Sequence, residues 1–334
     1  MKSPLRALAF AVFATAVVGG SLLVGPGGSV NSAEAARWVA GLLTGGHGTE
    51  PDSLLGTVLL GIRLPRILLT FLVGAALAAS GAGLQAIFRN PLVDPYIMGI
   101  SSGAAFGAAL AIASGVLPVQ PLAFLGGGIA VAASYLLASH RRNSSTVAMI
   151  LAGVVVSGVF TAGLTVVQFV SDPFKLQSIV HWTMGSLHTA DWGSLRAVAP
   201  PAMAGTVLLL LWSWRLNLLA IGEDEAMSAG VHPGRERLLV LLAATVATSS
   251  CVAVAGVIAF YGLFVPHGVR WIAGADNRRV VPLSAIAGGT LLVLLDDLAR
   301  SLTSYELPIG VFTMLLGAPF FIVLMRRARI GWGE

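Results

Sequence analysis

Apolar residues along this chain come in runs of about 20, enough for a helix to cross the hydrocarbon of a bilayer, and polar residues gather in short clusters between them. Reading the runs against their breakers predicts ten membrane-spanning helices, at about residues 5–25, 57–84, 92–112, 118–139, 146–170, 194–215, 235–256, 262–273, 279–300 and 308–326. The eighth is short. In Gly99-Ile-Ser-Ser-Gly103, continuing to Gly107, small residues recur every four positions, a spacing that lets helix backbones approach closely inside lipid. The expected fold is an all-α polytopic bundle in which residues 1–334 form a single transmembrane domain.

An even number of spans puts both termini on one side. All but six of the 20 Lys and Arg residues fall on that side, the exceptions being Arg37, Arg63, Arg66, Lys175, Arg196 and Arg300. The positive-inside rule therefore predicts cytoplasmic termini in a multi-pass inner-membrane protein. Lys2 and Arg6 precede an apolar stretch that resembles a signal peptide, but with no small-x-small cleavage site before a mature domain it reads as a retained first span. Gly81 and Gly256 are each followed ten residues later by proline, Pro91 and Pro266. This weak repeat relates spans two and seven, which cross in opposite directions, and predicts inverted-repeat halves.

Composition agrees with a bilayer: 56% of residues are hydrophobic and 10% charged, where a soluble domain carries about a quarter charged. The net charge of +5 does not signal nucleic acid, because the basic residues are not interleaved with aromatics on one patch. Cys251 is the only cysteine, so one chain can build neither a disulfide framework nor a thiolate metal site. No Gly-x-x-x-x-Gly-Lys-Ser/Thr string is present, so the chain is expected to be a non-enzymatic subunit that draws energy from a separate ATPase. It is expected to bind no cofactor itself, with ATP-Mg on the partner.

Gly99-Ile-Ser-Ser-Gly103 also matches a serine-nucleophile pattern, but nothing in the sequence places His181, His188 or His267 beside Ser101 to act as its base. Packing is the better reading. Residues 222–232 open with Glu223, Asp224 and Glu225 and close near Gly230, the pattern of a short surface helix with acids in its first turn and a glycine cap. Asp296, Asp297 and Arg300 sit near the outer end of span nine, where i,i+3 and i,i+4 spacing lets the arginine neutralise an acid. An ion-coupled secondary transporter would use Asp296 or Asp297 as its carrier. Arg63-Leu-Pro-Arg66 begins span two on the outer side and asks for carboxylate or lipid-phosphate partners.

Taken in order, several strings resemble the FecCD family of ATP-driven importer permeases: Arg63-Leu-Pro-Arg66, Gly81-Ala-Gly-Leu-Gln85, Arg89-Asn-Pro-Leu-Val-Asp-Pro95, Gly99–Gly103, Gly222-Glu-Asp-Glu with Ala229-Gly-Val231, Gly262-Leu-Phe-Val-Pro-His267 and Glu306-Leu-Pro-Ile-Gly310. The resemblance implies a type II importer: a homodimer of ten-helix subunits with its path on the two-fold axis, two cytoplasmic ATPase subunits and one extracytoplasmic binding protein. It makes Gly222, Glu223, Asp224, Glu225, Ala229, Gly230 and Val231 the coupling helix that contacts the ATPase. Arg63, Arg66 and Arg300 fall where the family's cobalamin importer faces acids of its binding protein, and Ser145 and Thr146 resemble the cytoplasmic gate. Asp296 and Tyr261 depart from the family pattern, and residues 172–186 resemble its outer loop. The implied cargo is a metal chelate, namely ferric siderophore, haem or cobalamin, with an oxyanion such as molybdate ranking behind.

Overall fold

A computed structural model describes residues 3–25, 32–44, 53–139, 146–302 and 305–328. All regular structure among them is helical. In chain order the helices are α1 (Ser3–Ser21), α2 (Ser32–Thr44), α3 (Leu54–Gly56), a π-helix (Thr57–Arg63), α4 (Leu64–Ile87), α5 (Ile100–Ser114), α6 (Val119–Ser139) and α7 (Thr146–Val170). They continue with α8 (Pro173–Thr183), α9 (Trp192–Ile221), α10 (Glu223–Ser228), α11 (Pro233–Ala255), α12 (Tyr261–Ala273), α13 (Asn277–Ser301) and α14 (Ile309–Ala328). Each of the ten expected spans falls on a helix, and α3, the π-helix and α4 run on as one rod, Leu54–Ile87. Helices α2 and α8 were not anticipated among the spans.

Several helix starts follow from side-chain caps. Asp172 accepts from the amides of Phe174 and Lys175 to open α8, with Pro173 supplying a pre-set φ. Asp191 does the same for α9 through Ser194, and Asp276 for α13 through Arg278. Asn217, near the end of α9, ties the last of these down: its amide donates to Asp276 Oδ1 at 2.7 Å, and its oxygen accepts from the amide of Asn277 at 2.8 Å.

The centre of the bundle is α4, whose most apolar stretch is 83% buried, against 22% for α7. Without a hydrophobic force between helices in lipid, association depends on close packing, and glycine makes the closest packing here. A Cβ on Gly74 would lie 2.3 Å from the Gly288 carbonyl oxygen of α13, and one on Gly81 would lie 1.9 Å from the Gly262 oxygen of α12. Gly103 and Gly126 bring α5 against α6 in the same way.

The eighth expected span is half a crossing. Helix α11 stops at Gly256, which has φ +70° and a backbone set against Trp182 and Gly185. Residues 256–259 are buried and non-helical, and α12 starts level with Gly81 in α4, so 13 residues suffice to complete the passage. Irregular backbone at this depth is tolerated because it is enclosed by protein rather than lipid. The Gly81 and Gly256 repeat does not carry over to local geometry: Gly81 is in mid-helix, whereas Gly256 ends one.

Candidate functional sites at the two ends of the bundle

At the end of the bundle where α4 begins and α13 closes, five charged side chains meet. Arg66 holds Asp296 with two parallel hydrogen bonds, Nε to Oδ2 at 3.0 Å and Nη2 to Oδ1 at 2.9 Å. Its Nη1 reaches both oxygens of Glu306 at 3.0 and 2.9 Å. Arg300 pairs with Asp297 and lies 3.4 Å from Asp296. Ser21, at the end of α1, donates to Asp297 at 2.6 Å and accepts from Arg300 at 3.1 Å. The network ties α1, α4, α13 and the turn into α14 together.

These positions correct the picture of exposed outer arginines awaiting an external carboxylate. Arg63, Arg66 and Arg300 are all buried. Arg63 donates to the Leu22 carbonyl at 2.7 Å, in space that a side chain on Gly25 would fill, and the other two have carboxylates within the chain. Their elements explain why. The π-helix Thr57–Arg63 runs directly into α4, and both arginines face inward across α1 and α13.

The same contacts count against the ion-carrier reading. A carrier carboxylate must exchange between protonated and ion-bound forms, whereas Asp296 and Asp297 are each held by an arginine. Asp296, a departure from the family pattern, is the hub of the pairing. Tyr261, the other departure, donates to the Gly288 carbonyl at 2.5 Å from a fully buried ring.

At the opposite end, α10 stands between α9 and α11. It is shorter than the expected 222–232: the helix covers Glu223–Ser228 and is closed at Gly230, φ +76°, where the Val231 amide returns to the Ala226 carbonyl at 2.9 Å. Ala226 and Val231 are buried and fix the inner face. Glu223 accepts from Arg237 at 2.6 Å and lies 3.7 Å from Arg89. Gly222 leaves room for the Glu225 carboxylate. Asp224, Glu225, Met227, Ala229 and Gly230 remain exposed, with Met227 at 51%.

Motifs far apart in sequence meet beneath this end. Gln85 donates to the carbonyls of Gly262 and Leu263 at 3.2 and 3.3 Å and accepts from Arg270. Gly81-Ala-Gly-Leu-Gln85 and Gly262-Leu-Phe-Val-Pro-His267 are thus two sides of one contact. Ser101 is buried, as the packing reading requires. Ser145 lies outside the described residues, and Thr146 opens α7.

Sequence reasoning passed over one more cluster. His181, on the last turn of α8, and His188 pack edge to face with ring centres 5.0 Å apart. They border a cavity of about 440 Å³ between α8, the turn that follows it and the end of α11. The only signal for it was two histidines seven residues apart, in a segment expected to be loop.

Comparison with known proteins agrees with this architecture. The sequence matches the FecCD transport family over residues 7–327. Relatives include the cobalamin import system permease protein of Halobacterium salinarum, 43% identical over 79% of this chain and 72% of that protein. The hemin transport system permease protein of Yersinia pestis is 38% identical over 84% of this chain and 86% of its own. The molybdate import system permease protein of Haemophilus influenzae is 40% identical over 84% and 85%. A solved structure described as an inward-facing metal-chelate type ABC transporter superposes with a TM-score of 0.84 at 35% identity, covering 97% of this chain and 99% of that one. The chain belongs to the FecCD transport family. It is a membrane-spanning transport permease of the ABC type.

Proposed function

We propose that this permease forms the membrane half of an ATP-driven importer that carries a metal chelate across the inner membrane into the cytoplasm. In this reading two copies line the path, two ATPase subunits dock on the cytoplasmic face, and an extracytoplasmic binding protein delivers cargo. Both termini face the cytoplasm. The observation that carries the proposal is α10, a short acidic helix seated by Ala226, Val231 and the Glu223–Arg237 pair, with Asp224, Glu225 and Met227 turned outward. A helix braced on its inner face and presented on its outer face can pass the movement of a docked ATPase to α9 and α11 as rigid-body displacement.

At the outer end, the binding protein works on a network that is already complete. An acid on its surface takes over Arg66 from Glu306, the more exposed of the arginine's two acids, with a side chain 35% accessible. Arg63 and Arg300 hold the surrounding frame. Ser145 and Thr146 are assigned to the cytoplasmic gate. The relatives' named cargoes, cobalamin and hemin, support a metal chelate ahead of the oxyanion carried by the molybdate permease.

The test is ATP-dependent uptake into proteoliposomes holding the permease, its ATPase and its binding protein, comparing wild type with Asp224→Arg/Met227→Arg. These positions are chosen because Glu223 is needed within the chain by Arg237. Uptake that requires ATP and is lost in the variant, with the permease still monodisperse, supports the reading. Uptake by the permease alone without ATP overturns it.

A further inference from the structure

The His181–His188 cavity is not used by either end-site. It lies at the same end of the bundle as Arg66 and Glu306, beside the Gly256 stop of α11, so in the orientation proposed above it opens at the outer mouth. Its lining combines an aromatic face, Trp182, and apolar Ile112 with Gln177, Ser186 and the two imidazoles. Pockets of about 300–1,000 Å³ with a few convergent polar groups are typical of small-ligand sites, and about 440 Å³ falls in that range.

The histidines are more than polar lining. His188 is exposed, and its Nδ1 sits 2.7 Å from Ser186 Oγ, which also accepts from the His188 amide at 3.3 Å. With the Nδ1 proton donated to Ser186, the lone pair on Nε2 is available. A hydrogen bond on one ring nitrogen that orients the other is how proteins prepare histidine for a metal. His181, exposed on α8, brings a second imidazole to the same opening.

Imidazole can bind a chelated metal only if the chelate leaves a position open. A ferric siderophore that fills all six sites offers none, whereas an iron or cobalt macrocycle keeps exchangeable axial positions. Trp182 adds an apolar aromatic face of the kind flat ring systems stack upon. We propose that His181 and His188, oriented by Ser186, form a receiving site at the outer mouth for a metal macrocycle with an exchangeable axial ligand. This rests on the importer reading and narrows its cargo from metal chelates at large to haem-like or corrinoid complexes.

The site is tested with the full-length permease in nanodiscs titrated with hemin, aquocobalamin and a ferric hydroxamate in separate arms. Absorption spectra report axial imidazole directly, without transport. The expected result is a shifted Soret band with hemin, a shifted corrin band with aquocobalamin, or both, the responding arm naming the macrocycle. The shift is lost in His181→Ala/His188→Ala and the affinity weakened about tenfold in Ser186→Ala, while the hydroxamate arm does not respond to the substitutions. Gel-filtration profiles matching wild type show that the variants are folded, and His188→Leu supplies a second variant that keeps side-chain bulk without a ligating atom. Macrocycle spectra unchanged between wild type and the double variant overturn the proposal. ATP-dependent uptake of ferric hydroxamate in such a case leaves the importer reading standing; imidazole ligation without ATP-dependent uptake of any chelate upholds the site and removes the importer.

Discussion

Replacing Asp296 by alanine tests the reading of the Arg66–Asp296 network most directly. The substitution strips Arg66 of both parallel hydrogen bonds and Arg300 of a carboxylate 3.4 Å away, among side chains only 2–11% exposed. Breaking a buried ion pair by removing one member costs about 3–5 kcal/mol, because the other charge is left without compensation. Glu306 still holds Arg66 and Asp297 still holds Arg300, which places the expected loss near the lower end, about 3 kcal/mol. Thermal unfolding of the detergent-purified permease, followed by loss of monodisperse protein, reads this loss for Asp296→Ala, Arg66→Ala and the double variant. The two single losses should fall short of additivity by about 1–3 kcal/mol, as for residues in one network. An Asp296→Ala protein that unfolds within about 0.5 kcal/mol of wild type would show the pairing to be idle. An Asp296→Asn protein of unchanged stability that loses uptake would return the carboxylate to the role of ion carrier.

Tyr261→Phe keeps the ring but leaves the buried Gly288 carbonyl without its hydroxyl donor, and should lower stability by about 1–2 kcal/mol in the same assay; no loss would mean that the carbonyl is satisfied another way. At the α12–α13 corner, the hydrogen bond from Asn217, with the Arg278 amide, holds the Asp276 carboxyl below its ordinary pKa. Its contribution is therefore present above the ordinary carboxylate range and lost as pH falls through the lower folded value. Asn217→Leu should raise the Asp276 titration midpoint, read by carbon NMR of labelled aspartate, and an unmoved midpoint would refute the assignment.

The spans were legible because lipid admits few solutions: a run of about 20 apolar residues has to be a helix, and α7 and α13 lie where hydropathy and flanking charge put them. Helix α8 was harder. Its Asp172-Pro173 start is a helix signal, but 11 residues with Lys175, Gln177 and His181 do not resemble a span. The short α12 was visible as a deficit in length, yet only tertiary contact explains it, since burial of residues 256–259 depends on α4 and on Trp182 and Gly185. The acid-opened helix after Gly222 and its glycine cap could be read locally, because capping is local chemistry. The pairing of Arg66 with Asp296 and Glu306 could not. Those residues are 230 and 240 positions apart, and charge counting by loop cannot tell an arginine aimed at solvent from one folded inward.

The glycine contacts of α4 also set the kind of mechanics open to the chain. Where side chains interdigitate, a helix can shift by fractions of an ångström as rotamers adjust. Where the Gly74 and Gly81 backbones rest on the carbonyls of Gly288 and Gly262, there are no rotamers to yield. Helices α4, α12 and α13 then either keep their register or slip by a whole step, as packed interfaces with two discrete arrangements do. If α10 couples to an ATPase as proposed, a stroke delivered through it would be met at these seams by a detent rather than a spring.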